Sequence, residues 1–146
     1  MPIRLSQGQL LEKYGHPQSI MARRSMRRLT LKWTDPGSPI AGIATQAHKS
    51  VATPFYETYQ EVCRKLDEWP TEVEGLNVRK IAGTQKWSLH AWALAWDVFN
   101  ENSSRIDPKT GRRIPSVAWF DEWQTRGWFA GQNFRHPDPH HLEWPW

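Results

Sequence analysis

The chain has 146 residues and a mass of 17.1 kDa, room for one ordinary domain and too little for two. Hydrophobic residues at 38%, aromatics at 12%, charged residues at 23% and a net charge of +4 exclude a fibrous repeat and a disordered chain. The single cysteine, Cys63, excludes an intramolecular disulfide framework and any zinc site built on several thiolates, so a metal would have to be held by His, Asp and Glu.

Residues 1–26 are polar, with a short helix expected around Gln9 to Tyr14 and a cluster of arginines, Arg23, Arg24, Arg27 and Arg28, that reads as a solvated basic surface. Arg28 to Trp33 alternates as a short strand and is closed by the turn former Asp35-Pro36-Gly37-Ser38-Pro39. Thr53-Pro54 supplies an N-cap and a first-turn proline. Phe55, Tyr59, Val62, Leu66 and Trp69 then recur at three- and four-residue spacing, which predicts an amphipathic helix ending at Pro70. Leu76 to Ile81 is a second alternating stretch, followed by a turn at Gly83 and the tryptophan-rich segment Trp87 to Asn100. Residues 102–115 form a polar hairpin-like loop around Asp107-Pro108-Lys109-Thr110-Gly111, and Pro115-Ser116 caps a helix carrying Val117, Phe120 and Trp123. Helices and strands without regular beta-alpha-beta alternation predict an α+β domain with a small antiparallel sheet. The ten tryptophans either fill its core or line a groove, which composition does not apportion.

Two segments carry chemistry. In Leu94-Ala95-Trp96-Asp97-Val98-Phe99 a carboxylate sits among apolar residues, and a buried carboxylate needs a cation or several donors. A salt bridge or an edge-strand position facing water would also serve it. His90 lies seven residues earlier: about 23 Å away on a straight strand and about 10 Å along a helix, so the two share an ion only if the chain bends between them. The small residues Ala91, Ala93 and Ala95 permit a bend. The second segment, His136-Pro137-Asp138-Pro139-His140-His141-Leu142-Glu143, packs three histidines and two carboxylates into eight residues, a dense ligand set that is equally compatible with a solvated tail. If it ends as a strand with Leu142 inward, His141 faces away with Glu143 and only one of the adjacent histidines is a ligand. No HExxH, nucleophile elbow, P-loop or zinc-deaminase signature is present.

Ser88-x-His90 followed by Ala95 and Asp97, together with Asp138-x-x-His141 and Leu142-Glu143-Trp144, resembles the zinc D-alanyl-D-alanine carboxypeptidase and L-alanyl-D-glutamate endopeptidase family, which includes VanY-like enzymes and many phage endolysins. The resemblance covers about residues 53–144 of one domain spanning 1–146. It implies a hedgehog/DD-peptidase-like fold, a sheet with helices packed on one side, and a Zn2+ ion held by His90, Asp97 and His141 with Asp138 as the catalytic carboxylate. The family's usual glycine is Ala93 here, a smaller aliphatic position is Trp96, and the upstream arginine is not cleanly present; Arg79 is its best substitute and equally suits an exposed strand position. Ser88 and His140 are then expected beside the substrate, with His136 and His140 outside the ligand set.

On this reading the protein hydrolyses an amide bond in peptidoglycan stem peptides. Two imidazoles and one carboxylate leave a fourth corner for water, as in catalytic zinc sites. With no run of about 18 apolar residues and no apolar core in Met1 to Gln7, the expectation is a cytoplasmic, monomeric protein with no membrane span, acting on the wall after release. The rival is a wall-binding or phage-particle domain of the same fold that does not cut. A nucleic-acid binder using Arg23 to Arg28 is a third reading that leaves the C-terminal ligand cluster without a role, so no nucleic-acid partner is expected.

Overall fold

Ser6 opens the first helix. In the computed structural model, which describes residues 4–33 and 41–144, the Ser6 hydroxyl accepts from the Gln9 amide while the Gln9 side chain accepts from the Ser6 amide. This reciprocal cap starts α1 (Gln7–Tyr14), which buries Leu10 and Tyr14. The five-residue α2 (Ile20–Arg24) follows behind a Ser19 cap. The expected strand forms as β1 (Met26–Trp33) and pairs antiparallel with β2 (Ala41–His48), Met26 opposite His48. Little in Ala41–His48 signals β2, because it holds one large aliphatic residue, Ile43; pairing with β1 rather than intrinsic preference makes it a strand. The expected turn at 35–39 lies outside the described residues.

The long helix, α3 (Ala52–Leu66), begins a residue before the expected cap. Val51 is its N-cap and makes no side-chain bond, so Thr53 lies within the first turn and does not cap it. The helix stops at left-handed Asp67 rather than running to Pro70, which leaves Trp69 beyond it and partly buried. The alternating stretch Leu76 to Ile81 is not a regular strand. Leu76, Val78 and Ile81 are exposed, and only Lys80 bridges to Trp87 across a turn at Gly83. The strand lies upstream, at β3 (Glu72–Glu74). Alternation without a partner to cover one face does not make a sheet.

Four strands, β3, β4 (Ala95–Phe99), β5 (Phe129–Ala130) and β6 (His141–Glu143), form an antiparallel sheet in the order β3-β4-β6-β5, so the α+β protein has two small sheets where one was expected. Side-chain alternation sorts this sheet into an apolar and a polar face. Val73, Trp96, Val98, Ala130 and Leu142 join the core, and Trp96 lies opposite Leu142. Asp97 lies opposite both His141 and Glu74, on the other face. On the core side Phe55 of α3 stacks on Trp96 at 4.1 Å and 17°, with Trp123 of α4 (Val117–Thr125) at 5.5 Å. Ser116 caps α4 and Phe120 and Trp123 face inward as expected, but Val117 is exposed and Trp119 takes its place in the core.

The tryptophans are spent mostly on the core. Trp92, Trp96, Trp119 and Trp123 are fully buried and Trp128 nearly so. Two buried indoles satisfy their N–H groups on the backbone, Trp92 on the Gly15 carbonyl at 2.8 Å and Trp96 on the Gln46 carbonyl at 2.9 Å. Cys63 is buried beside them with its thiol pushed up to about 12, chiefly by burial, which removes it as a nucleophile or ligand.

Candidate metal centre

His90 and Asp97 meet because the chain bends between them. The Ser88 hydroxyl accepts from the His90 amide at 3.3 Å and starts one turn of 3-10 helix, Leu89–Trp92. Ala93 then takes a left-handed conformation at φ 53, ψ 45, and β4 leaves in a new direction. A left-handed alanine costs about 1–2 kcal/mol relative to its preferred regions, and this one is fully buried. Ala93→Gly is therefore expected to leave thermal stability nearly unchanged, relief of strain offsetting a lost methyl worth about 0.8 kcal/mol. Ala93→Val adds a β-branched side chain at positive φ in a packed core, and calorimetry should show a loss of more than about 2 kcal/mol.

The bend sets His90 Nε2 3.2 Å from Asp97 Oδ1, and the pairing of β4 with β6 sets His141 Nδ1 3.4 Å from the same oxygen. These three donors lie within 4.8 Å of one another and could hold a metal ion. The hydrogen bonds behind them fix which atoms face the centre. His90 Nδ1 donates to the Gly75 carbonyl at 2.8 Å, which leaves a lone pair on Nε2 of the neutral ring. His90 Nε2 and Asp97 Oδ1 are both buried without a hydrogen-bond partner. A lone pair facing a buried carboxylate oxygen is repulsive unless a cation sits between them, and that is the fit expected of a metal site.

His141 is held from behind by Glu143, whose Oε1 lies 3.0 Å from Nε2. Burial alone would push the His141 imidazole down; its bonds to Asp97 and Glu143 outweigh this and raise it to about 9. Burial likewise pushes the Asp97 carboxyl up, and the hydrogen bond from the His141 ring reverses the shift, holding it well below the usual carboxylate range. Because the folded pKa of His141 is raised, its charge stabilises the metal-free protein fully below about pH 6.5, and that contribution is lost as pH rises through about 9. A metal must displace this proton from Nδ1. Calorimetric titration with Zn2+ in buffers of different ionisation enthalpy at pH 7.5 should report release of about one proton, with affinity rising up to about tenfold per pH unit until about pH 9.

Asp138 stands beside the three donors without belonging to them. Its Oδ2 is 3.8 Å from His141 Nδ1, its Oδ1 is 3.4 Å from His140 Nε2, and its side chain is one-third exposed. The loop that carries it rests on Gly131, whose carbonyl accepts from the Asp138 amide at 2.9 Å. A Cβ at Gly131 would collide with the Asp138 carbonyl and stand 2.9 Å from His141 Cβ. Gly131→Ala should therefore displace Asp138 and His141 together and weaken metal binding at least tenfold, measurable by competition with a chromogenic chelator.

Asp138 and His141 border a cleft of about 500 Å3 whose walls include Arg79, Lys86, Trp87, Ser88 and Phe134. Arg79 and Ser88 thus reach the cleft, Arg79 as an exposed side chain and Ser88 as a buried cap. His140 does not line it. Its Nδ1 lies 2.5 Å from Asp107 Oδ2, its ring stacks on Phe99 at 5.5 Å, and its Nε2 lies 3.7 Å from Asp97 Oδ1, so it stands behind the carboxylates. His136 is exposed. The chain matches no protein-family model, no curated protein and no solved structure. Among the described residues no helix is long and apolar enough to cross a membrane.

Three supporting residues escape a reading of the sequence. Asp107 is fully buried, its Oδ1 accepting from the Lys109 amide and its Oδ2 facing Thr110 and His140, but in sequence it is one more turn-forming Asp-Pro. Gly75 and Gly131 are needed for close backbone approach, to the Gln46 carbonyl and the Asp138 carbonyl respectively, and nothing in their flanking residues marks them.

Proposed function

We propose that the protein is a zinc-dependent peptidase, with the hedgehog/DD-peptidase-like fold its motifs imply, that hydrolyses an amide bond in peptidoglycan stem peptides as phage endolysins do. The observation that carries this reading is the buried, unpartnered pair His90 Nε2 and Asp97 Oδ1, converging with His141 Nδ1 at the edge of an open cleft. Two imidazoles and a carboxylate suit Zn2+ and leave a corner for water, and Asp138 supplies the carboxylate outside the ligand set that a hydrolase requires.

When bound, the ion would acidify a water molecule and polarise the scissile carbonyl. The chain's own groups do the rest. Asp138 accepts a proton from the attacking water and returns it to the leaving amine, giving a carboxylic acid and an amine as products. Arg79, on the cleft wall, offsets the negative charge that develops on the carbonyl oxygen. Glu143 and the Gly75 carbonyl hold the two imidazoles in the tautomers that point a lone pair at the centre. Ser88 orders the turn that carries His90.

The test is incubation of the Zn2+-loaded protein with purified peptidoglycan, with and without a chelator, and mass-spectrometric mapping of soluble fragments. Chelator-sensitive release of fragments with new stem-peptide ends is the expected result, and the mapped bond separates an L-alanyl-D-glutamate cut from removal of terminal D-alanine. Retention on the wall polymer with no fragments released would assign a binding domain instead.

A further inference from the structure

The metal cleft gives no role to the basic cluster near the N-terminus. Lys13 on α1, Arg23 and Arg24 on α2, Arg27 on β1 and Lys49 after β2 are all exposed. Among the described residues the ion pairs of lysines and arginines fall elsewhere, on Arg4, Lys65, Lys109, Arg112 and Arg126.

Arg24, Arg27, Lys49 and Lys13 are drawn to one region of the surface, with Arg23 next to Arg24 on α2. The Lys49 amide donates to the Ser25 carbonyl at 2.7 Å, and Arg27 Nη1 donates to the Arg24 carbonyl at 3.2 Å. Lys13 Nζ lies 5.3 Å from the centre of the Tyr14 ring, which meets the His48 ring edge-on at 4.9 Å. Burial, and then the charges of Lys49, Arg27 and Lys13, lower the His48 imidazole, so all three act on one ring. Arg28, one residue along the strand, points from the opposite side of the sheet and is not part of this face.

The same helix that carries Arg23 and Arg24 also exposes Ile20 at 67% and Met21 at 80%, the most exposed large apolar side chains among the described residues. One exposed aliphatic residue means little; two adjacent ones rimmed by unpaired cations match the boundary between lipid headgroups and acyl chains. Nucleic acid would engage the arginines but would leave Ile20 and Met21 without a partner. Single-strand binding relies on aromatic platforms, and Tyr14, the aromatic residue of this region, is buried.

We propose that the face formed by Ile20, Met21, Lys13, Arg23, Arg24, Arg27 and Lys49 docks the protein on an anionic lipid bilayer. The cations sit at the phosphate layer and the two aliphatic side chains enter the acyl boundary. The docking is independent of the metal centre and of what the cleft cuts.

Co-sedimentation with vesicles tests it, using phosphatidylcholine alone and phosphatidylcholine mixed with phosphatidylglycerol. The full chain is expected to bind the mixed vesicles and not the neutral ones, less tightly as salt is raised. The triple variant Arg23→Gln, Arg24→Gln, Arg27→Gln should bind about 100-fold more weakly, about fivefold per cation removed. The double variant Ile20→Ser, Met21→Ser keeps every charge and should bind about tenfold more weakly. All five positions are exposed, and unchanged Zn2+ affinity confirms that each variant is folded. Equal binding to both vesicle types, or undiminished binding by the Ile20→Ser, Met21→Ser protein, overturns the proposal. Binding to duplex DNA by both the wild type and that double variant, with vesicles bound by neither, would assign the face to nucleic acid.

Discussion

Asp138→Ala is expected to lower kcat on purified peptidoglycan by about 10²–10⁴-fold while the protein still binds Zn2+, the separation that distinguishes a proton-transferring carboxylate from a ligand. The geometry underlies the expectation. Asp138 is not one of the three convergent donors, its Oδ2 lies 3.8 Å from His141 Nδ1, and it borders the open cleft where His90 is sealed at 2% exposure. Removing it leaves the hydrogen bonds that His90 donates to Gly75 and His141 donates to Glu143 intact, so the ligands keep their aim. Metal content and steady-state rates on the same preparation measure both halves. Cleavage at the wild-type rate by the variant would remove Asp138 from the chemistry, and loss of metal would make it a ligand.

His90→Ala and His141→Ala should each abolish metal binding and activity together, yet they should differ in what they cost the metal-free protein. His141 lies between two poorly exposed carboxylates, Asp97 and Glu143, and carries the charge that offsets them. Its removal leaves both without that charge and is expected to cost about 3–5 kcal/mol. His90 gives its Nδ1 proton to the Gly75 carbonyl and has no hydrogen-bond partner on Nε2, so its loss costs mainly that one bond and some packing, about 1–3 kcal/mol. Denaturant unfolding in chelator should rank the two in that order. Adding Zn2+ should then raise the stability of the wild type alone, by about 4 kcal/mol at a thousandfold excess over its dissociation constant. Equal costs for the two variants would contradict the different bonding assigned to the two rings.

The amino-acid sequence by itself determined the residues of the centre and the periodicities of the elements that carry them. A carboxylate inside Leu-Ala-Trp-Asp-Val-Phe requires a cation when buried, and small residues on the His90 side of it allow the bend that Ala93 makes. Alternation in His141-Leu142-Glu143 puts Leu142 in the core and His141 with Glu143 on the polar face. These are local facts, set by side-chain period and by the chemistry of single residues.

Only the tertiary structure decided what lies behind the ligands and where the remaining aromatic and basic side chains go. The Gly75 carbonyl that fixes the His90 tautomer is 15 residues away, and the Asp107 carboxylate that holds His140 is 33 away. Such partners are hydrogen-bonding groups found throughout any chain, and only the fold selects which of them is close. The alternating stretch at 76–81 shows the same limit from the other side, since its pattern matches a strand but its pairing with residues 86–90 amounts to a single bridge, Lys80 with Trp87, and does not extend into a ladder. Burial of five tryptophans and exposure of Ile20 and Met21 are likewise set by which surfaces α3, α4 and the sheets cover. Period fixes which way a side chain points from its own backbone, and packing fixes what it meets there.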